Sequence, residues 1–259
     1  MGYETLLVEK SGYLTTVTLN RPDKLNAMSM QVILELKELF DALRGDEETR
    51  FIIFTGKGKH FSCGVEFSEK EMEKRNAMNP RLWQIFAHDF MHTMENLEQV
   101  TIAAVNGAAV GAGLCVAMNC DFRIASENAF FAIPEAKLGV FFTWGATPRL
   151  TALIGPSKAK EMIMTCDNVS AQEALRIGLV NRVVLPEQLM SCCHEMVDKI
   201  ATRGPLAVRM CKKIVNAASL SRMADLYPYE PELVEKLYDS GQPDEGIRAF
   251  MEKRPPRFS

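Results

Sequence analysis

The sequence lacks most of the features that give a function away at a glance. Its 259 residues carry a formal charge of only −3, which gives no support for nucleic-acid binding. The small basic clusters Lys212-Lys213 and Lys253-Arg254 read as solvated surface. No apolar run reaches membrane-spanning length. The opening MGYETLLVEK has no apolar signal core, and Leu6 stands where a myristoylation pattern wants Ser or Thr. The closing PPRFS matches no familiar retention or peroxisomal signal. Seven cysteines (63, 115, 120, 166, 192, 193 and 211) form no CxxC pair and no regular framework. An odd count spread through apolar runs reads as reduced thiols. These absences predict a soluble, cytoplasmic protein with neither a membrane nor a nucleic-acid partner.

Cofactor motifs are missing too. The glycines of TGKGKHFSCGVE (Thr55 to Glu66) lack Walker spacing, and VNGAAVGAGL reads GxxxGxG instead of a dinucleotide fingerprint. His88 and His92 are four apart on an expected helix, but without the HExxH glutamate or a third ligand no metal site is assigned. Repeats and low-complexity tracts are absent.

The residues that are present are 47% hydrophobic and 24% charged, enough for a substantial core in one or two domains. Val8 and Leu14–Leu19 read as paired strands around a Ser11-Gly12 turn, and Asn20-Arg21-Pro22-Asp23 as a turn. Ser29 caps a helix whose Val32, Leu36, Leu39 and Leu43 share one face. Strands are expected at 51–55, 101–105 and 122–125, and helical sequence over 69–94, broken at Asn79-Pro80. Strand and helix in alternation predict an α/β spiral. Ser170 with Glu173 reads as a capping box and Gly178 as a helix stop. From Pro186 the chain reads as almost wholly helical.

Chemistry concentrates between Ala103 and Glu135. Gly107, Gly111 and Gly113 lie between an apolar strand and a helix start, where backbone amides stand unpaired and can cradle negative charge. Glu135 follows Pro134 within the apolar FFAIPEAKLGVFF. Such surroundings raise a carboxyl pKa and suit it to act as a base near neutral pH. A cradle for an oxyanion beside a lone base suggests proton transfer next to a carbonyl.

Several blocks, in order along nearly the whole chain, resemble the enoyl-CoA hydratase/isomerase family of the crotonase superfamily. They are NRPDKLNAM, the FSCG turn, AAVNGAAVGAG with MNCD, PEAKLGV, SAQEALRIGLVNRVV and AFMEKR. The resemblance implies a crotonase-like α/β spiral of ββα units over residues 1–198 that binds acyl-CoA. It also implies an α-helical trimerisation region over 199–259, a homotrimer or a dimer of trimers, and no cofactor beyond the coenzyme A of the substrate. By position, the amides of Cys63 and Ala112 would hold the thioester oxygen, and Glu135 would be the catalytic base. The substrate would touch Lys24, Asn26, Cys63, Gly64, Val65, Glu66, Gly111, Ala112, Phe141, Phe142 and Trp144. Phe250 and Lys253 would join them, placed by the resemblance on a neighbouring subunit.

The sequence departs from the family in one telling place. Hydratases use two glutamates, and the position of the first is Cys115. Moving a double bond needs one base, whereas water addition is helped by two. The expectation is therefore 3-enoyl to 2-enoyl isomerisation, with hydration as the alternative and an idle acyl-CoA-binding protein as a third. Thr143 and Trp144 occupy the place of other acids used in the family. Glu66, where an aspartate is usual, reads as a carboxylate at a helix entry, and Asp121 as an acceptor for backbone amides.

Overall fold

A computed structural model describes residues 2–220 and 229–258. Strand β1 (Leu6–Ser11) pairs antiparallel with β2 (Leu14–Leu19) across the expected turn. From β2 the sheet continues in parallel through β3 (Phe51–Gly56), β4 (Val100–Val105), β6 (Phe122–Ser126) and β9 (Arg182–Val184). The two middle strands, FIIFTG and VTIAAV, are buried almost throughout, as parallel strands covered on both faces must be.

The two-residue period of a strand divides that burial cleanly. Phe51, Ile53, Val100, Ile102, Ala104 and Ile124 face helix α8 (Leu189–Ala201) through Leu189, Cys193, Met196 and Val197. Ile52, Phe54, Ala103, Val105 and Ala125 face the main core. There they meet α1 (Met30–Arg44), α3 (Pro80–Glu95) and α4 (Ala112–Asn119). Helix α1 starts as expected, with Ser29 Oγ accepting from the Val32 amide at 3.3 Å. The charged stretch before α3 forms α2 (Glu69–Asn76), and Asn79 caps α3 by accepting from the Arg81 amide at 2.8 Å.

A second, three-stranded sheet was not foreseen. It comprises β5 (Ala108–Val110), β7 (Phe130–Ala132) and β8 (Val169–Ser170). Strands of two or three residues leave no periodic signature. In β5 and β7, parallel register sets Val110 opposite Ala132, so Gly111 and the Pro134-Glu135 turn leave the sheet at the same end.

Helices α5 (Ala146–Ile154), α6 (Pro156–Thr165) and α7 (Ala171–Arg176) follow. At α7 only half of the capping box forms. Ser170 Oγ accepts from the Glu173 amide at 3.2 Å, but the Glu173 carboxylate is taken by Arg176 and Lys158. Gly178 has the left-handed backbone, φ +82°, expected of a helix stop. Beyond α8 come α9 (Pro205–Leu220), α10 (Glu230–Asp239) and α11 (Gln242–Met251). Residues 221–228, part of the stretch expected to be helical, lie outside the described residues.

The boundary drawn at 198 falls inside α8, so no break occurs there; the chain leaves that helix at Thr202. The apolar residues of α10 also find a partner within the chain. Val234 is buried, and Val234 and Leu237 line a cavity against α3, leaving Leu233 exposed. No helix among the described residues is long and apolar enough to cross a membrane.

Candidate active site

The cavity holds about 110 Å³ and lies where the small sheet, α3 and α10 meet. The turn at 61–65 is stitched to β5. Ser62 donates its amide to the Ala108 carbonyl and accepts from the Val110 amide, both at 3.0 Å. Met28 and Glu66 extend the stitching, because the Met28 amide donates to the Gly64 carbonyl and the Glu66 amide to the Met28 carbonyl. Gly64, at φ +90°, takes a backbone conformation open to glycine. A methyl built there would stand 3.0 Å from the Val110 carbonyl oxygen and 3.8 Å from the Ala112 nitrogen. The two glycine turns therefore lie against each other.

This stitching corrects the assignment of Cys63. Its amide donates to the Leu25 carbonyl at 3.1 Å and is not available to a ligand. Among the described residues, two amides in this turn, those of Phe61 and Val65, make no hydrogen bond, and of the two residues Val65, two positions on, lines the cavity. On the facing turn, the first bond of α4 runs from the Cys115 amide to the Gly111 carbonyl at 3.0 Å, leaving the Ala112 amide unpaired. Val65 and Ala112 both line the cavity. The family resemblance points to the Cys63 amide, and the long-range bond that engages it with Leu25 is not legible in the sequence.

Glu135 opens a short 3-10 turn after β7 and reaches back across Gly111. A methyl on Gly111, which has φ +50°, would stand 2.7 Å from Glu135 Oε1, so any side chain there would collide with the carboxylate. Glu135 Oε2 is enclosed and has no hydrogen-bond partner among the described residues. Burial pushes the carboxyl up to about 7. Cys115 lines the same cavity; burial first, then the Glu135 charge, raise its thiol well above the usual range. A neutral thiol is neither a base nor a nucleophile at physiological pH.

The raised value of Glu135 has a consequence for stability. The protonated acid is the form the fold favours, so nothing is lost below the unfolded value near 4.5, and stability falls as pH climbs through 7. At about pH 8, Glu135→Gln is expected to stabilise the protein by on the order of 3 kcal/mol, and at about pH 4 to change little. Thermal unfolding of both proteins at the two pH values checks this. A variant no more stable than wild type at the higher pH would contradict the enclosed carboxylate.

The other expected residues divide. Cys63, Gly64, Val65, Gly111, Ala112, Phe141, Phe142 and Trp144 all line the cavity. Trp144, at φ +62°, packs edge-on against Trp83 with ring centroids 6.2 Å apart. Asn26 is structural: it accepts from the Arg21 amide and donates to the Lys57 and His60 carbonyls at 2.9, 3.0 and 2.7 Å. Glu66 is not at a helix entry, since α2 begins three residues later; its Oε2 lies 2.7 Å from Arg21 Nη2. Lys24 and Lys253 are exposed and do not line the cavity. Phe250 packs on Phe67 of its own chain, at 5.5 Å between centroids, beside the cavity that Phe67 lines. Asp121 accepts from the Thr101 amide at 2.7 Å, as expected, and pairs with Lys212 at 2.8 Å. His88 engages Glu230 at 2.7 Å. Reading the sequence missed Gln84 and Tyr238 as cavity residues and Glu230 behind them.

The family model for enoyl-CoA hydratase/isomerase matches residues 9–259. The short-chain-enoyl-CoA hydratase of Clostridium acetobutylicum is 38% identical, over 98% of this chain and 97% of its own length. The crotonyl-CoA hydratase of Syntrophomonas wolfei is 37% identical, over 100% and 99%. Among solved structures, an enoyl-CoA hydratase from Mycobacterium avium subsp. paratuberculosis superposes with a TM-score of 0.88 over the full length of both chains, at 27% identity. A monofunctional enoyl-CoA isomerase from M. smegmatis gives 0.70 at 33% identity, covering 83% of this chain and 93% of its own. End-to-end similarity in sequence and fold, on top of the motifs and the paired glycine turns, places this chain in the enoyl-CoA hydratase/isomerase family.

Proposed function

We propose that the protein is an enoyl-CoA hydratase whose single carboxylate, Glu135, moves the protons. The observation that carries the chemistry is the enclosed Oε2 of Glu135, raised to about 7, in a cavity shared with the free amides of Val65 and Ala112. The thioester oxygen would accept from those two amides. As water adds to the β-carbon, Glu135 takes one of its protons and a proton returns from the carboxyl to the α-carbon. Negative charge gathers on the thioester oxygen during addition, and each amide aimed at it is worth about 3 kcal/mol in the transition state. Enzymes of this family typically need no cofactor, because coenzyme A is part of the substrate.

The named relatives put hydration ahead of the isomerisation expected from the sequence. Isomerisation stands second, on a specific observation: Cys115 gives the cavity no second carboxylate to fix the water. In that reaction Glu135 would take a proton from the α-carbon of a 3-enoyl thioester and return it to the γ-carbon. An idle binding protein fits less well, since an enclosed, unpaired carboxylate beside unpaired amides in a cavity is costly to fold and is suited to proton transfer. Wild-type protein with 2-enoyl and 3-enoyl thioesters, followed by ultraviolet absorbance of the conjugated thioester, separates the readings. Loss of absorbance from the 2-enoyl series supports hydration, and a gain from the 3-enoyl series without that loss supports isomerisation.

A homotrimer, or a dimer of trimers, remains part of the proposal. It is supported by α9, which exposes Leu206, Met210, Ile214 and Val215, a set of large apolar side chains unusual for a free surface. A cytoplasmic setting is supported by the cysteines, all seven of them unpaired.

A further inference from the structure

One polar side chain in the cavity has no part in the reaction just described. Gln84, on the inner face of α3, is only 2% exposed and lines the cavity among Trp83, Trp144, Val234 and Leu237. In such apolar company a buried amide is costly unless its hydrogen-bonding capacity is met. Its Nε2 lies 3.3 Å from His88 Nε2, and the same ring nitrogen lies 2.7 Å from Glu230 Oε2. A ring nitrogen carries one hydrogen or one lone pair, so the short contact to Glu230 leaves Gln84 a weak, secondary one. Among the described residues the other end of the Gln84 amide makes no hydrogen bond. Whichever way the amide is turned, one polar end has no hydrogen-bond partner among the described residues, on a side chain that lines the cavity.

The surroundings hold that amide in place. Glu230, buried at the start of α10, also accepts from the Gly145 amide at 3.1 Å. The carboxylate thus ties α10 to α3 and to the left-handed turn that sets the Trp144 ring. Side chains fixed by packing and by hydrogen bonds behind them are the ones that can discriminate between ligands.

We propose that Gln84 makes this enzyme selective for acyl groups that carry an oxygen, a hydroxyl or carbonyl, beyond the double bond, in preference to plain hydrocarbon chains. This rests on the acyl-CoA reading above. A substrate oxygen would satisfy the free end of the amide, whereas a hydrocarbon chain would bury it unmet. Sites built to bond a substrate oxygen reject analogues that lack it far more strongly than apolar pockets reject an extra methylene.

The test compares hexenoyl-CoA, in both the 2-enoyl and 3-enoyl forms, with counterparts bearing a hydroxyl at C5 or C6. Wild type is expected to favour at least one hydroxylated ester over its plain counterpart by tenfold or more in kcat/KM. Gln84→Met, similar in length but unable to bond the oxygen, should erase that preference, lowering kcat/KM for the hydroxylated ester and raising it for the plain one. Equal handling of plain and hydroxylated esters by wild type would overturn the inference while leaving the enzyme assignment standing. So would a folded Q84M that keeps the preference. Failure of wild type to bind or turn over any ester would overturn the acyl-CoA reading and this inference with it. Should Q84M not fold, the wild-type preference decides alone.

Discussion

Glu135→Gln is expected to lower turnover of enoyl thioesters by roughly two to four powers of ten, while affinity for a saturated acyl-CoA changes little. The substitution keeps the size and polarity of the side chain but leaves nothing at that point able to take a proton. Binding survives because the amides of Val65 and Ala112 belong to the backbone and the cavity wall is otherwise untouched. Initial rates and equilibrium binding, measured on the same preparation, separate the two effects. Near-normal turnover would mean that the base lies elsewhere. Glu66, the next candidate from sequence alone, is held by Arg21 outside the cavity, so suspicion would pass to Glu230 behind Gln84.

The second large effect is expected at Cys115, where hydratases of the family carry their other glutamate. Cys115→Glu should raise hydration of a 2-enoyl thioester by about tenfold or more, because a second carboxylate can fix the attacking water while Glu135 moves the protons. The site is demanding. Cys115 is 5% exposed and faces the same cavity as Glu135, so a new carboxylate would meet both burial and a like charge. Thermal unfolding must therefore be checked before the rates are read. A folded variant with unchanged hydration would mean that the water is held by other groups. The absence of a carboxylate at 115 would then say nothing about which reaction the enzyme favours.

The fold was largely legible because its long elements are strongly periodic. Leu36, Leu39 and Leu43 declared the buried face of α1, and the apolar runs at 51–55 and 101–105 declared the central strands. The small sheet was invisible, since Ala108–Val110 and Phe130–Ala132 are too short to show a period, yet their parallel register brings Gly111 and Glu135 together. Glu135 stands out by local chemistry as an acid in an apolar run, and Ala112 by the family resemblance at a glycine-rich helix start; both line the cavity. The amide expected to partner that of Ala112, the amide of Cys63, is taken by a long-range hydrogen bond to Leu25 that the sequence does not show. Gln84, Glu230 and Tyr238 escaped notice for the same reason. Nothing in the sequence shows that α10 folds back over α3 and closes the cavity.

The dependence of wild-type kcat/KM on pH, measured with whichever enoyl-CoA is turned over, bears most directly on Glu135 as the base. Because the carboxyl is raised to about 7 and must be ionised to accept a proton, the rate should fall about tenfold per pH unit below that value and level off above it. The residual activity of Glu135→Gln should lack the inflection. A wild-type profile that stays flat between about pH 5 and 8, or an inflection that persists in the variant, would contradict the account, because either would place the titrating base somewhere other than Glu135.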